Sequence, residues 1–102
     1  MLVNLKVEIE FSHAFQSRLS LERQILLIEE DRSTVKHLFD RLAKEHGEKI
    51  KPLLFAPKKD EILSGLMIMV NDKIITGNDL NQQNVQLSNG DKVSLLYFIS
   101  GG

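Results

Sequence analysis

The sequence predicts an α+β fold, a mixed sheet of four to five strands packed on one main helix. Three observations predict it. Residues 2–11 alternate strictly between apolar and polar. Residues 33–47 carry a helical apolar period between a cap signal and a glycine. Residues 90–98 read as a turn running into a last strand, followed by Ile99-Ser100-Gly101-Gly102.

In the first stretch Val3, Leu5, Val7, Ile9 and Phe11 share one face, and Asn4, Lys6, Glu8 and Glu10 share the other. A period of two is that of a strand with one buried side. Residues 13–21 read as a connection without defined form. The run Ile25-Leu26-Leu27-Ile28 is apolar enough for a second strand, antiparallel to the first. Ser33 or Thr34 can cap a helix by accepting a hydrogen bond from a free first-turn N–H. Val35, Leu38, Phe39 and Leu42 then fall at i, i+3, i+4 and i+7, and Gly47 stands where a helix ends.

Pro52 and Pro57 forbid a long helix over residues 48–65. Leu53-Leu54-Phe55 must still find cover against the sheet edge or the helix end, and Lys58 to Glu61 reads as a solvated loop. A third strand is expected at Leu66 to Val70, a tight turn at Asn71-Asp72-Lys73, and a short fourth strand at Ile74-Ile75. A further turn follows at Gly77-Asn78-Asp79. Leu80, Val85 and Leu87 anchor a segment rich in Asn and Gln. Asn89-Gly90-Asp91 turns the chain into the final strand, with Gly free to take a positive φ.

The composition narrows the function. With 102 residues the chain is one domain. A net charge of −1 gives no electrostatic pull toward nucleic acid or an acidic membrane. No apolar run has transmembrane or signal-peptide length, which predicts a cytoplasmic protein. Cysteine is absent, which excludes disulfides, Cys-ligated zinc and iron–sulfur clusters. His13, His37 and His46 have no ligand spacing to one another, so no metal site is expected. No phosphate-binding glycine loop or nucleophile elbow appears.

The ending has chemistry of its own. A terminal carboxylate titrates near ~3.5 and is ionised at neutral pH. It can attack the α-phosphate of ATP and become an acyl adenylate, whose acyl group then passes to sulfur or to an amine. Two glycines keep such an end slim and mobile. Composition alone would end roughly 0.5% of chains this way.

Gly90-Asp91-x-Val93, seven residues and Gly101-Gly102 together resemble the ending of the ThiS/MoaD sulfur carriers. These are ubiquitin-like proteins of the β-grasp fold. Val3 to Phe11 resembles the family's opening strand, Ser33-Thr34-Val35-x-x-Leu38 its helix start, and Leu66 to Asp72 its apolar strand and Asn-containing turn. The resemblance implies that the first and last strands lie side by side. It implies a domain over residues 1–98 and a flexible diglycine tail over residues 99–102.

The resemblance also implies a function. Gly102 would carry the adenylate and then the thiocarboxylate, with Gly101 giving access. The chain would bind no cofactor and would be a carrier or non-catalytic subunit. ATP would be used by an E1-like adenylating partner of the MoeB/ThiF type, and a sulfur donor would follow. The broadest label is MoaD-like, a small subunit of molybdopterin synthase in molybdenum cofactor biosynthesis, docking into a MoaE-like large subunit. The alternatives are a carrier for thiamine, cysteine or tRNA thiolation, and a ubiquitin-like modifier conjugated to lysines. A plain interaction domain is a third reading. Molybdopterin synthase small subunits usually carry a proline pair where this chain has Tyr97-Phe98. The length of residues 48–65 and the Ile62 to Asp72 stretch look more like the ubiquitin-related modifier of tRNA thiolation.

Alternation suggests a docking surface. If Val93 and Leu95 face the helix, with Tyr97 on their side, Ser94, Leu96 and Phe98 face away. If Ile68 and Val70 face it, Met67 and Met69 face away. The expectation is an apolar partner surface of Leu96, Tyr97, Phe98, Ile99, Met67 and Met69 beside the tail. The other placement, with these residues in the core or under Pro52 to Phe55, is open to the same pattern.

Overall fold

The computed structural model describes residues 5–28, 33–57 and 61–98. The expected tail of residues 99–102, with Ile99, Gly101 and Gly102, lies outside the described residues, as do Leu2 to Asn4 and Lys58 to Asp60.

The elements follow in order: β1 (Leu5–Phe11), α1 (His13–Leu19), β2 (Arg23–Ile28), β3 (Ser33–Thr34), α2 (Val35–His46), α3 (Lys51–Leu54), β4 (Met67–Val70), β5 (Lys73–Thr76), α4 (Gly77–Gln82), β6 (Gln86–Leu87) and β7 (Lys92–Tyr97). Among the described residues, five strands form a mixed sheet in the order β2-β1-β7-β4-β5, and β3 pairs with β6 apart from it. The first and last strands are neighbours and parallel, with Ile9 beside Val93 and Phe11 beside Leu95. β1 and β2 form the expected antiparallel pair, Leu5 opposite Ile28 and Glu10 opposite Arg23.

One face of this sheet makes the core. Leu5, Val7, Ile9, Leu26, Ile28, Ile68, Val70, Val93 and Leu95 are buried with Val35, Leu38, Phe39 and Leu42 of α2. The helix lies where its period places it. Thr34 Oγ1 accepts from the His37 N–H at 3.2 Å, and Gly47 ends the helix at φ 62°.

Two segments read as turn or irregular chain are helical. Residues 13–19 form α1, which buries Phe15. Gly77-Asn78-Asp79 is the first turn of α4 rather than a turn between strands. Thr76 Oγ1 accepts from the Asp79 N–H at 3.1 Å, and Asp79 Oδ2 accepts from the Thr76 N–H at 3.2 Å. This reciprocal cap satisfies two otherwise free donors and starts a helix in a polar sequence.

The segment after α2 folds back onto the core. Pro52 sits in the first turn of α3, where a missing N–H costs nothing. Ile50, Leu53, Leu54, Ile62 and Leu63 are buried, and Phe55 bridges to Ile62. Asn81 fastens this segment: Oδ1 accepts from the Ile62 N–H at 2.8 Å, and Nδ2 donates to the Ile62 carbonyl at 2.7 Å. Gly77 is required for the close approach. A Cβ there would stand 1.8 Å from the Leu63 carbonyl oxygen.

Candidate functional site: the end of the last strand and the outer sheet face

The turn that launches β7 is built by one glycine and two side chains. Gly90 takes φ +90°. Asp91 Oδ2 accepts from the Ser88 N–H at 2.7 Å. Asn71, itself left-handed at φ 54°, donates to Asp91 Oδ1 and accepts from the Lys92 N–H, each at 3.1 Å. The Asn-containing turn after β4 and the Gly-Asp pair before β7 are therefore one hydrogen-bonded unit. Asn tolerates the left-handed region better than most residues, and its short amide reaches the neighbouring backbone.

Near its other end β7 carries a β-bulge. Ile68 opposes Leu95 but Met67 opposes Tyr97, so Leu96 is the extra residue. The bulge corrects the expected alternation. Opposed residues on neighbouring strands share a face, so Tyr97 stands with Met67 on the outer face and is 46% exposed. It does not lie with Val93 and Leu95. Phe98, expected to face away, packs against the core instead, edge-on to Phe15 with ring centroids 5.1 Å apart. Ser12 holds the bulge: its hydroxyl donates to the Leu96 carbonyl, and its N–H donates to the Leu95 carbonyl at 3.0 Å. An extra residue bends and twists a strand locally, which re-aims whatever follows it.

The outer sheet face holds part of the expected surface. Met67 and Met69 are half-exposed on it, opposite Thr76 and Ile74. Ile74 is 58% exposed and was not expected there. Leu96 is half-buried. A charged band crosses the middle of the face. Lys92 Nζ meets Glu10 Oε2 at 2.6 Å, and Arg23 Nε meets Glu8 Oε1 at 3.4 Å. The Lys92 ammonium, by hydrogen bond and then by charge, holds the Glu10 carboxyl below its ordinary value, and Glu10 raises Lys92 in return.

Among the described residues, two surface clefts are lined by Glu10, Phe11, Gln16, Glu22 and Arg23 (about 380 Å³) and by residues 80–84 with Lys36 and Glu61 (about 210 Å³). No group of three His, Cys, Asp or Glu among these residues is placed to hold a metal ion. No helix among them is long and apolar enough to cross a membrane.

A five-stranded mixed sheet with parallel first and last strands, wrapped on one principal helix, defines a ubiquitin-like β-grasp protein. The chain belongs to the ThiS family, whose model matches residues 16–102. No curated protein sequence matches it. Solved structures share the fold. SAMP1 from Haloferax volcanii has a TM-score of 0.74 at 16% identity, covering 95% of this chain and 99% of that one. Urm1 from Trypanosoma brucei has a TM-score of 0.63 at 16% identity, with all of both chains covered. A chain in the complex of subunits 1 and 2 of molybdopterin-converting factor from Helicobacter pylori has a TM-score of 0.53 at 24% identity, covering 96% of this chain and all of that one. The family is one of small ubiquitin-fold sulfur carriers and modifiers.

Proposed function

We propose that this chain carries sulfur on its Gly102 carboxylate. A carboxylate oxygen of Gly102 attacks the α-phosphate of ATP on an E1-like partner of the MoeB/ThiF type, and pyrophosphate leaves. Hydrosulfide from a sulfur donor then attacks the acyl carbon of the adenylate: a C–S bond replaces the C–O bond to phosphate, AMP leaves, and the remaining S–H proton goes to solvent. The product is a thiocarboxylate, which gives its sulfur to a biosynthetic acceptor. Gly101 lets the end enter a narrow channel, since any Cβ would widen it.

One observation carries the reading: the family match runs through Gly101-Gly102, the residues that bear the chemistry. The root of that tail supports it. β7 lies third of five strands, and Phe98 is held by Phe15 only four residues before Gly102. Met67, Met69, Leu96 and Tyr97, with Ile74, are the surface on which partners would dock. Methionines suit a surface that several partners use in turn.

The pathway reading is MoaD-like, with a MoaE-like large subunit as the final acceptor of the tail. A second reading is conjugation of the activated Gly102 to lysines, favoured by the likeness to SAMP1, a protein named as a modifier in its own structures. Adding one residue after Gly102 tests both together: sulfur transfer and conjugation are lost while the fold is unchanged. Unchanged activity would leave a plain interaction domain. Peptides carrying Gly102 linked to lysine, sought by mass spectrometry of cell lysates, separate the modifier from the carrier.

A further inference from the structure

Among the described residues, strand β2 is an edge of the sheet. The Phe11 N–H donates to the Glu22 carbonyl at 2.8 Å. Antiparallel pairs alternate between bonded and non-bonded positions, and the register with β1 runs from Glu10–Arg23 to Leu5–Ile28 without a break. Gln24, Leu26 and Ile28 therefore turn their N–H and C=O groups toward β1. Arg23, Ile25 and Leu27 turn theirs toward the open edge. The same three side chains project onto the outer face, where Ile25 is 53% and Leu27 56% exposed.

A row of open backbone groups thus runs beneath two uncovered apolar side chains. Edge strands are usually protected by lysine, proline, a bulge or shortness. β2 is six residues long and has neither lysine nor proline. Its only charge, Arg23, is drawn along the face to Glu8. The opposite edge, β5, has four residues and begins with Lys73. On the inner side, Gln24 donates to Glu45 Oε2 at 2.6 Å and meets His46 Nε2 at 2.9 Å, which ties the last turn of α2 beside the strand.

We propose that β2 is a self-association edge, on which a second copy of this chain pairs antiparallel about a two-fold axis at Leu26. The register follows from the strand. Centring on Leu26 sets Ile25 opposite Leu27 of the second copy, twice. Each such pair has both side chains on the outer face and all backbone groups aimed across the junction. Centring on Ile25 would instead set Leu27 against Arg23. Stable interfaces bury on the order of 1,200 Å² or more, and an association confined to two six-residue edges is expected to be reversible and concentration-dependent. β1 separates β2 from β7, so the paired form leaves Met67, Met69, Ile74 and Tyr97 uncovered.

The test is sedimentation velocity on the full chain from micromolar to millimolar concentration, with hydrogen exchange at both ends of that range. The expected result is a monomer–dimer equilibrium. At high concentration the amides of Ile25 and Leu27 become protected at least tenfold, while Gln24, Leu26 and Ile28 are protected throughout. Leu27→Lys abolishes the dimer, and Ile74→Lys, on the far side of the same face, keeps it. Circular dichroism of both variants reports that they fold. A monomer at millimolar concentration overturns the proposal. So does a dimer lost in Ile74→Lys but kept in Leu27→Lys, or one without new protection at Ile25 and Leu27. Binding of an extended peptide to β2 by a chain that stays monomeric would make the edge a peptide site and overturn self-pairing.

Discussion

Phe98 stands edge-on to Phe15, 5.1 Å between ring centres, and this contact holds the residue that follows β7 against the core. Phe15 is fully buried and also lies 6.5 Å from Phe11. Edge-to-face pairs are worth about 0.5–1.5 kcal/mol beyond the area they bury. Phe98→Ala is expected to cost about 2 kcal/mol, since Phe98 is only partly buried and a fully buried Phe costs more. Phe98→Leu costs less. Urea unfolding midpoints measure both.

The Asn81 clamp on Ile62 makes its own prediction. Removing it leaves the Ile62 N–H and C=O without their partner, at a cost of about 1–3 kcal/mol for Asn81→Ala. Asn81→Asp keeps one acceptor but sets a carboxylate oxygen against the Ile62 carbonyl. Both should speed hydrogen exchange at Ile62 more than at Val93.

Gly77→Ala is expected to be worse. Its Cβ would overlap the Leu63 carbonyl oxygen, a backbone atom that cannot rotate away. A cost of about 3 kcal/mol or more follows from forced overpacking. Thermal unfolding followed by circular dichroism would read it.

The Glu10–Lys92 pair sets a pH dependence. Glu10 is lowered from 4.5 by Lys92, so its contribution is present above the ordinary glutamate range and is lost as pH falls through the lowered value. Lys92 is raised from 10.5 by Glu10, so its contribution is present below 10.5 and lost as pH rises through the raised value. Glu10→Gln should flatten both limbs slightly. The effect is small and fades with salt, because both side chains are open to water. NMR titration of the Glu10 side chain should give a midpoint below 4.5, moving upward in Lys92→Met.

Much of the fold was legible because period and cap agreed. Strict alternation identified β1, and Thr34, the 3-4-7 spacing and Gly47 bounded α2. The adjacency of β1 and β7 came from family resemblance, since no local pattern encodes which strands pair. α1 and α4 were hidden for physical reasons. Ser12 makes no side-chain cap for α1, and α4 is a polar sequence started by Thr76 and Asp79. The bulge was invisible, because one extra residue leaves apolarity unchanged while exchanging the directions of Tyr97 and Phe98. Asn81 looked like any amide in a polar run. Ile25, Leu27 and Ile74 sat in apolar runs that suggest burial on both sides. Met67 and Met69 lie on the face to which alternation assigns them, and Phe98 does not.

The measurement that bears most directly on the carrier role is intact mass after incubation with ATP, sulfide and a cognate activating enzyme. The expected product is heavier by the difference between sulfur and oxygen, and it is absent from a chain lacking Gly102. An unchanged mass, with the same enzyme active on another carrier, would contradict the assignment of Gly102 as the sulfur-bearing residue.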